Sequence, residues 1–160
     1  MWTQQAKLVA SDAVGPANQG FSVSLSSDGN TSVVGGRTDN AGGFQVGATW
    51  VYARSGALWS QQAKLVGTGA IGRAWQGYSA SLSADGRTAM VGGLTDDSSG
   101  AVWVYAEPVV FAGTPGKANC HGKSVSALAQ QLGGLSAAAA ALGFDSVSAL
   151  QDAIMAFCGG

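Results

Sequence analysis

The sequence predicts a mainly β protein: two four-stranded antiparallel sheets of the propeller-blade type, followed by a small three-helix tail closed by a disulfide. Three observations predict it. A block of sequence recurs at a fixed offset, each copy reads as four short strands, and the last third switches to helical spacing and holds both cysteines.

The repeat organises the first 106 residues. Trp2-Thr-Gln-Gln-Ala-Lys-Leu-Val9 returns as Trp59-Ser-Gln-Gln-Ala-Lys-Leu-Val66, an offset of 57. Gln19-Gly-Phe-Ser-Val-Ser-Leu-Ser-Ser-Asp-Gly-Asn-Thr31 returns at the same offset from Gln76 to Thr88, and Val34-Gly-Gly36 as Val91-Gly-Gly93. Trp50-Val-Tyr-Ala53 returns as Trp103-Val-Tyr-Ala106, at offset 53, so the preceding connection is shorter in the second copy.

Within the first copy, Phe21–Leu25 alternates apolar residues against Ser22 and Ser24, the period of a half-buried strand. Asp28-Gly29 makes the hairpin turn, because both residue types tolerate positive φ. Thr31–Val34 returns and is closed by Gly35-Gly36; Ala48–Tyr52 and Leu58–Leu65 supply the third and fourth strands around Ser55-Gly56. The second copy repeats this with Tyr78–Leu82, Asp85-Gly86, Thr88–Val91 and Ala101–Tyr105. Four antiparallel strands in a unit of this length is a propeller-blade pattern. The units run over about 2–57 and 59–106.

The phase of the repeat carries its own expectation. Trp2–Val9 is a fourth strand ahead of its first, and the second copy lacks its fourth unless Val109–Phe111 supplies it. Two copies fall short of the four to eight blades of a closed propeller. Either the first strand of one chain completes the last sheet of another, a heterologous exchange that closes a homo-oligomeric ring of two or three chains, or the chain is a fragment of a larger propeller, or its two sheets pack face to face.

These blocks resemble the bacterial branch of the FG-GAP repeats, relatives of the integrin α-subunit propeller. The resemblance spans about residues 2–106. It implies an extracellular or cell-envelope adhesion protein that binds partners or glycans without catalysing a reaction. Many such repeats hold calcium in the first hairpin with several carboxylates, because calcium takes six to eight oxygens. Here each loop keeps one, Asp28 or Asp85, followed by Asn30-Thr31 or Arg87-Thr88. The expectation is turn formation, with no metal and no cofactor.

Composition excludes further classes. The chain is 46% hydrophobic but 11% charged, well below the ~25% of ordinary domains. Its net charge of −1 carries no basic cluster, so neither nucleic acid nor an anionic membrane surface is expected as a partner. No apolar run approaches the ~18 residues of a membrane span. Met1 leads directly into a strand-like segment rather than a signal peptide, so any leader is expected outside this chain.

Candidate site residues are few. The connections between second and third strands differ between copies, and variable loops on a rigid scaffold carry recognition. They hold Arg37, Asp39 and Asn40 in the first copy and Asp96-Asp97 in the second. Trp75, where the first copy has Asn18, is either an exposed platform for a sugar or a packing residue between sheets. Trp50 and Trp103 belong to the core.

Residues 113–160 form a second module after the repeat region 1–112, with Thr114-Pro-Gly116 as linker. It resembles a short tail found on some bacterial proteins. Ser124 is placed to cap a helix with Val125, Leu128, Ala129 and Leu132 on one face, ending at Gly133-Gly134. Ser136 starts an alanine-rich helix, and Asp145 or Ser146 caps a third carrying Val147, Leu150, Ile154 and Phe157. Cys120 and Cys158 flank these helices and are read as a disulfide. The alternative is a thiol enzyme using Cys120 with His121 as base, a pairing adjacency in sequence disfavours. The leading functional expectation is a non-catalytic module for a protein or carbohydrate ligand; a structural spacer is the alternative.

Overall fold

The structure is a computed structural model and describes residues 1–107 and 113–159. Val109–Phe111, considered above as a fourth strand, lie outside the described residues. Internal contacts divide the chain into two units, Met1–Glu107 and Pro108–Gly160.

The first unit is built of two antiparallel sheets. Strands β1 (Gln19–Leu25), β2 (Thr31–Gly36), β3 (Ala48–Ser55) and β4 (Leu58–Leu65) form a meander in chain order. Strands β5 (Gln76–Leu82), β6 (Thr88–Gly93) and β7 (Ala101–Ala106) repeat the first three. Register follows the repeat: Val34 faces Trp50 as Val91 faces Trp103, and the same irregularity separates Gln19 from Ser22 and Gln76 from Ser79. The glycine pairs expected to close β2 and β6 are their last residues.

Two expectations are corrected. The second sheet has three strands, not four, among the described residues. Trp2–Val9, despite its likeness to β4, forms no strand here, and Trp2 is fully exposed. The reason is pairing: β4 lies on β3, whereas Trp2–Val9 has no strand beside it among the described residues.

The core of the first sheet lies on the face bearing Val34, Ala48, Trp50 and Tyr52, which Ala17, Leu8, Ala10, Trp59 and Val66 cover. Burying a Trp and a Tyr side chain there contributes several kcal/mol, at roughly 25 cal/mol per Å² of apolar surface. The opposite face, with Ser22, Ser24, Val33 and Val51, receives β5. There Ser22 Oγ donates to the Gly77 carbonyl (2.9 Å), and the Leu82 N–H donates to Ser24 Oγ (3.1 Å). So the alternation of β1 is real but its polarity is opposite to the expected one. Its serines face the second sheet, while Val23 and Leu25 are 68% and 55% exposed.

The second unit contains α1 (Cys120–Leu132), α2 (Leu135–Ala141) and α3 (Val147–Cys158) around Leu128, Ala138, Ala139, Leu150 and Ile154. Gly133, in the left-handed region at φ 75°, ends α1. Ser146 caps α3, its Oγ accepting from the Ala149 N–H. Ser124 is not a cap. The helix starts earlier, at Cys120, and buried Ser124 Oγ accepts from the Gly113 N–H instead. Phe157 stays 36% exposed at the edge of the face that buries Leu150 and Ile154. Cys120 and Cys158 form a disulfide, Cα–Cα 5.7 Å across 38 residues, tying the first helix to the last.

Candidate functional site

The loops following β2, β4 and β6 meet at one end of the first unit. The Gln76 N–H donates to the Val46 carbonyl (2.7 Å), Trp75 N–H to Gln45 (3.3 Å), and Asp97 N–H to Ile71 (3.3 Å). The Thr95 hydroxyl donates to the Arg73 carbonyl. All six residues singled out from the sequence lie in these loops, Asp39 in their interior.

Asp39 is fully buried. Its Oδ2 accepts from the Val14 N–H and its Oδ1 from the Ala41 N–H and from Lys64 Nζ, each at 2.8 Å. Lys64 also donates to the Asp12 carbonyl (2.8 Å) and stands 5.3 Å from the centre of the Trp50 ring. Asp12 Oδ1 accepts from Trp50 Nε1 and Gln61 Nε2. Burial pushes the Asp12 carboxyl up, but those hydrogen bonds and the Lys64 charge outweigh it and hold it below its ordinary value. These carboxylates therefore fix the loop to the sheet.

Asp96 repeats the role, with Oδ1 accepting from the Ile71 N–H at 2.7 Å, as Asp39 accepts from Val14. It differs in having no cation beside it among the described residues. Asn40 accepts from the Gln45 N–H and shapes its own loop. Asp97 is exposed in a 3₁₀ turn, at φ 44°.

Arg37 and Trp75 come together. The Arg37 guanidinium lies 4.3 Å from the Phe21 ring centre, 5.1 Å from Trp75 and 6.0 Å from Tyr78, and the Phe21 and Tyr78 rings are 4.9 Å apart. A cation over aromatic faces gains about 0.5–2 kcal/mol, more as water is excluded. Arg37 Nε and Trp75 Nε1 are buried without a hydrogen-bond partner, so these two side chains pack at the junction of β1 and β5, while the Phe21 and Tyr78 rings stay 43% and 36% exposed. The exposed aromatic of the loop end is Phe44, 62% exposed, with Arg73 stacked 4.8 Å above its ring. Sequence reading passed over both. The available signal was a lone Phe in Ala41-Gly42-Gly43-Phe44, a loop without other reason to hold a large apolar residue.

At the opposite ends of the strands, the Asp-Gly hairpins are stapled alike. Asp28 Oδ1 accepts from Ser26 Oγ (2.5 Å) and the Asn30 N–H (2.9 Å), and Oδ2 from the Asn30 amide (3.0 Å). Ser26 Oγ accepts from the Thr31 N–H (3.0 Å). Ser83, Asp85, Arg87 and Thr88 repeat this circuit. The Ser26 and Ser83 hydroxyls, with the backbone N–H groups of Asn30 and Arg87, lower the two carboxyls below their ordinary value. Two sheets thus share one hairpin chemistry and one strand register, offset by a repeat.

Residues 2–52 match the FG-GAP repeat. The matched segment runs from the unpaired Trp2–Val9 through β1 and β2 into β3, and the second FG-GAP-like copy carries the same blocks from Trp59 to Ala106. No curated protein matches the chain. In both Asp-Gly hairpins the single carboxylate is engaged by its own turn, and among the described residues no three His, Cys, Asp or Glu side chains come together as metal ligands. No helix among the described residues is long and apolar enough to cross a membrane. In the helical unit Cys120 is bonded to Cys158, which leaves neither sulfur as a thiolate while the bridge stands, and His121 Nε2 is buried without a partner.

Proposed function

We propose that the first unit is a propeller-type binding module, non-catalytic and displayed outside the cytoplasm, whose ligand is a protein or a carbohydrate engaged by the loop end bearing Phe44 and Arg73. One observation carries it. In an FG-GAP-like scaffold whose loop carboxylates Asp39 and Asp96 are consumed in holding backbone, Phe44 and Arg73 are left exposed as a stacked aromatic–cation pair. Aromatic and Arg side chains are the groups that dominate binding surfaces, because each contributes a large rigid area and a directional polar handle. Rigid loops cost little to order on binding. The disulfide supports an oxidising compartment.

The test is binding to an array of bacterial and animal glycans and to immobilised extracellular-matrix proteins. Binding that falls about tenfold or more in both Phe44→Ala and Arg73→Ala, with unchanged circular dichroism, supports the site. Binding that survives both substitutions removes the loop end as the site. No binding on either surface favours the structural-spacer alternative.

A further inference from the structure

We propose that a second copy of this chain docks on the open face and edge of β5–β7, through its own Trp2–Leu8 segment and the adjoining start of β1. The motivation is that the repeat region already contains this interface once, between its two repeats, and that both halves of it are open a second time among the described residues.

Consider the face first. On the first sheet Val33 and Thr49 are fully buried beneath β5. Their counterparts on the second sheet, Met90 and Val102, are 48% and 58% exposed, and Val104, the counterpart of half-buried Val51, is 63% exposed. A groove of about 510 Å³ runs along this surface, lined by Gly92, Gly100, Ala101 and Val102 among others. The equivalent space on the first sheet is filled by Gln76 and Gly77: a Cβ at Gly35 or Gly47 would strike their backbone. A Cβ at Gly92 or Gly100 would meet only the second repeat's own residues, Ser79 Oγ in the first case and the Leu94 and Gly93 carbonyls in the second.

The complementary half is equally open. Gly77, at φ 84°, is wedged so closely that a Cβ would collide with the Ala48 carbonyl. Gly20 holds the same conformation, φ 93°, at the equivalent place, and a Cβ there would meet nothing within 4 Å. A shape that the second repeat needs in order to seat on the first is thus preserved in the first repeat with nothing among the described residues to seat on. Val23 and Leu25 beside it are exposed, as noted above.

The edge gives the register. β4 pairs with β3 by Trp50–Lys64, Val51–Ala63 and Ala53–Ser60. Transferred by the repeat offsets, Lys7 of the docking copy falls opposite Trp103, Ala6 opposite Val104 and Thr3 opposite Ala106. Charge agrees with register. Lys64 bonds Asp39 at 2.8 Å, and the counterparts of these two are Lys7 and Asp96, neither of which has an ion-pair partner among the described residues. Paired ladder groups and a covered apolar face then replace an exposed edge, the usual template for strand addition. The contact is head to tail. It closes into a ring if the rotation permits, as about two to four copies for a propeller of four to eight blades. Ring closure rests on the propeller reading above; the docking does not.

Sedimentation velocity with light scattering across a dilution series tests it. The expected result is assembly into multiples of 15.9 kDa at high micromolar concentration. Val104→Lys places a charge in the covered face, and Ala6→Pro removes a ladder N–H; both positions are exposed in the single chain, so its fold accepts them. Each weakens assembly about tenfold or more. A wild-type chain that stays at 15.9 kDa throughout overturns the proposal, as does assembly insensitive to both substitutions. A mass that grows without limit keeps the docking and overturns the propeller closure.

Discussion

Asp39→Asn isolates the residue that separates scaffold from ligand surface. Asp39 is fully buried and answers three donors at 2.8 Å, the Val14 and Ala41 N–H groups and Lys64 Nζ, whose side chain is 11% exposed. Asparagine keeps the shape but has one acceptor oxygen for those three donors, and its own N–H₂ must face one of them. Removing one partner of a buried ion pair costs about 3–5 kcal/mol, because the other charge is left uncompensated. Lys64 retains the Asp12 carbonyl and a narrow route to solvent, which places the loss near the lower end, about 3 kcal/mol. For a unit of this size each kcal/mol lowers Tm by roughly 4–8 °C, so a fall of about 12 °C or more is expected. Urea and thermal unfolding followed by circular dichroism measure it. Lys64→Met, which removes the charge yet leaves Asp39 two N–H donors, is expected to cost less. A loss below about 0.5 kcal/mol for Asp39→Asn, the scale of an exposed pair, refutes the assignment of Asp39 to the scaffold.

Two further outcomes follow from the same geometry. Cys120→Ser opens a loop of 38 residues and is expected to destabilise the helical unit by about 4 kcal/mol in the chain-entropy estimate; helix loss monitored with and without reductant should coincide with it, and a variant as stable as wild type contradicts the staple role. Asp12, Asp28 and Asp85 all titrate below their ordinary value in the folded chain, so each adds stability above the unfolded carboxylate pKa of about 3.9 that is lost as pH falls through the folded one. Unfolding free energy should therefore decline below about pH 4, and Asp28→Asn with Asp85→Asn should flatten that decline; an unchanged pH profile refutes the hairpin contribution.

Much of the fold was legible because the repeat is written twice. Each strand centre, both Asp-Gly hairpins, a cap at Asp145 or Ser146 and the Cys120–Cys158 bridge follow from local chemistry, and the structure places the cap at Ser146. What escaped depended on the third dimension. Alternation in Phe21–Leu25 defines two faces but not which is covered, and packing by β5 chose the serines. Ser124 had the composition of a cap, but the helix begins at Cys120, where the disulfide anchors it. Asp39 read as a loop acid because nothing in its own neighbourhood shows that Lys64 lies above it. The repeat did contain that clue: Asp39 recurs as Asp96 and Lys64 as Lys7, a pairing across 57-residue offsets that single-copy reading ignores.

Amide hydrogen exchange across a concentration series tests most directly whether the two ends of the repeat region complete one another. Leu58–Leu65 serves as an internal standard, paired within the chain at every concentration. The account predicts that Trp2–Leu8 exchanges freely in dilute solution and becomes protected at high concentration, together with the outer edge of Val102–Ala106. Free exchange of Trp2–Leu8 at every concentration, beside a protected Leu58–Leu65, would contradict it.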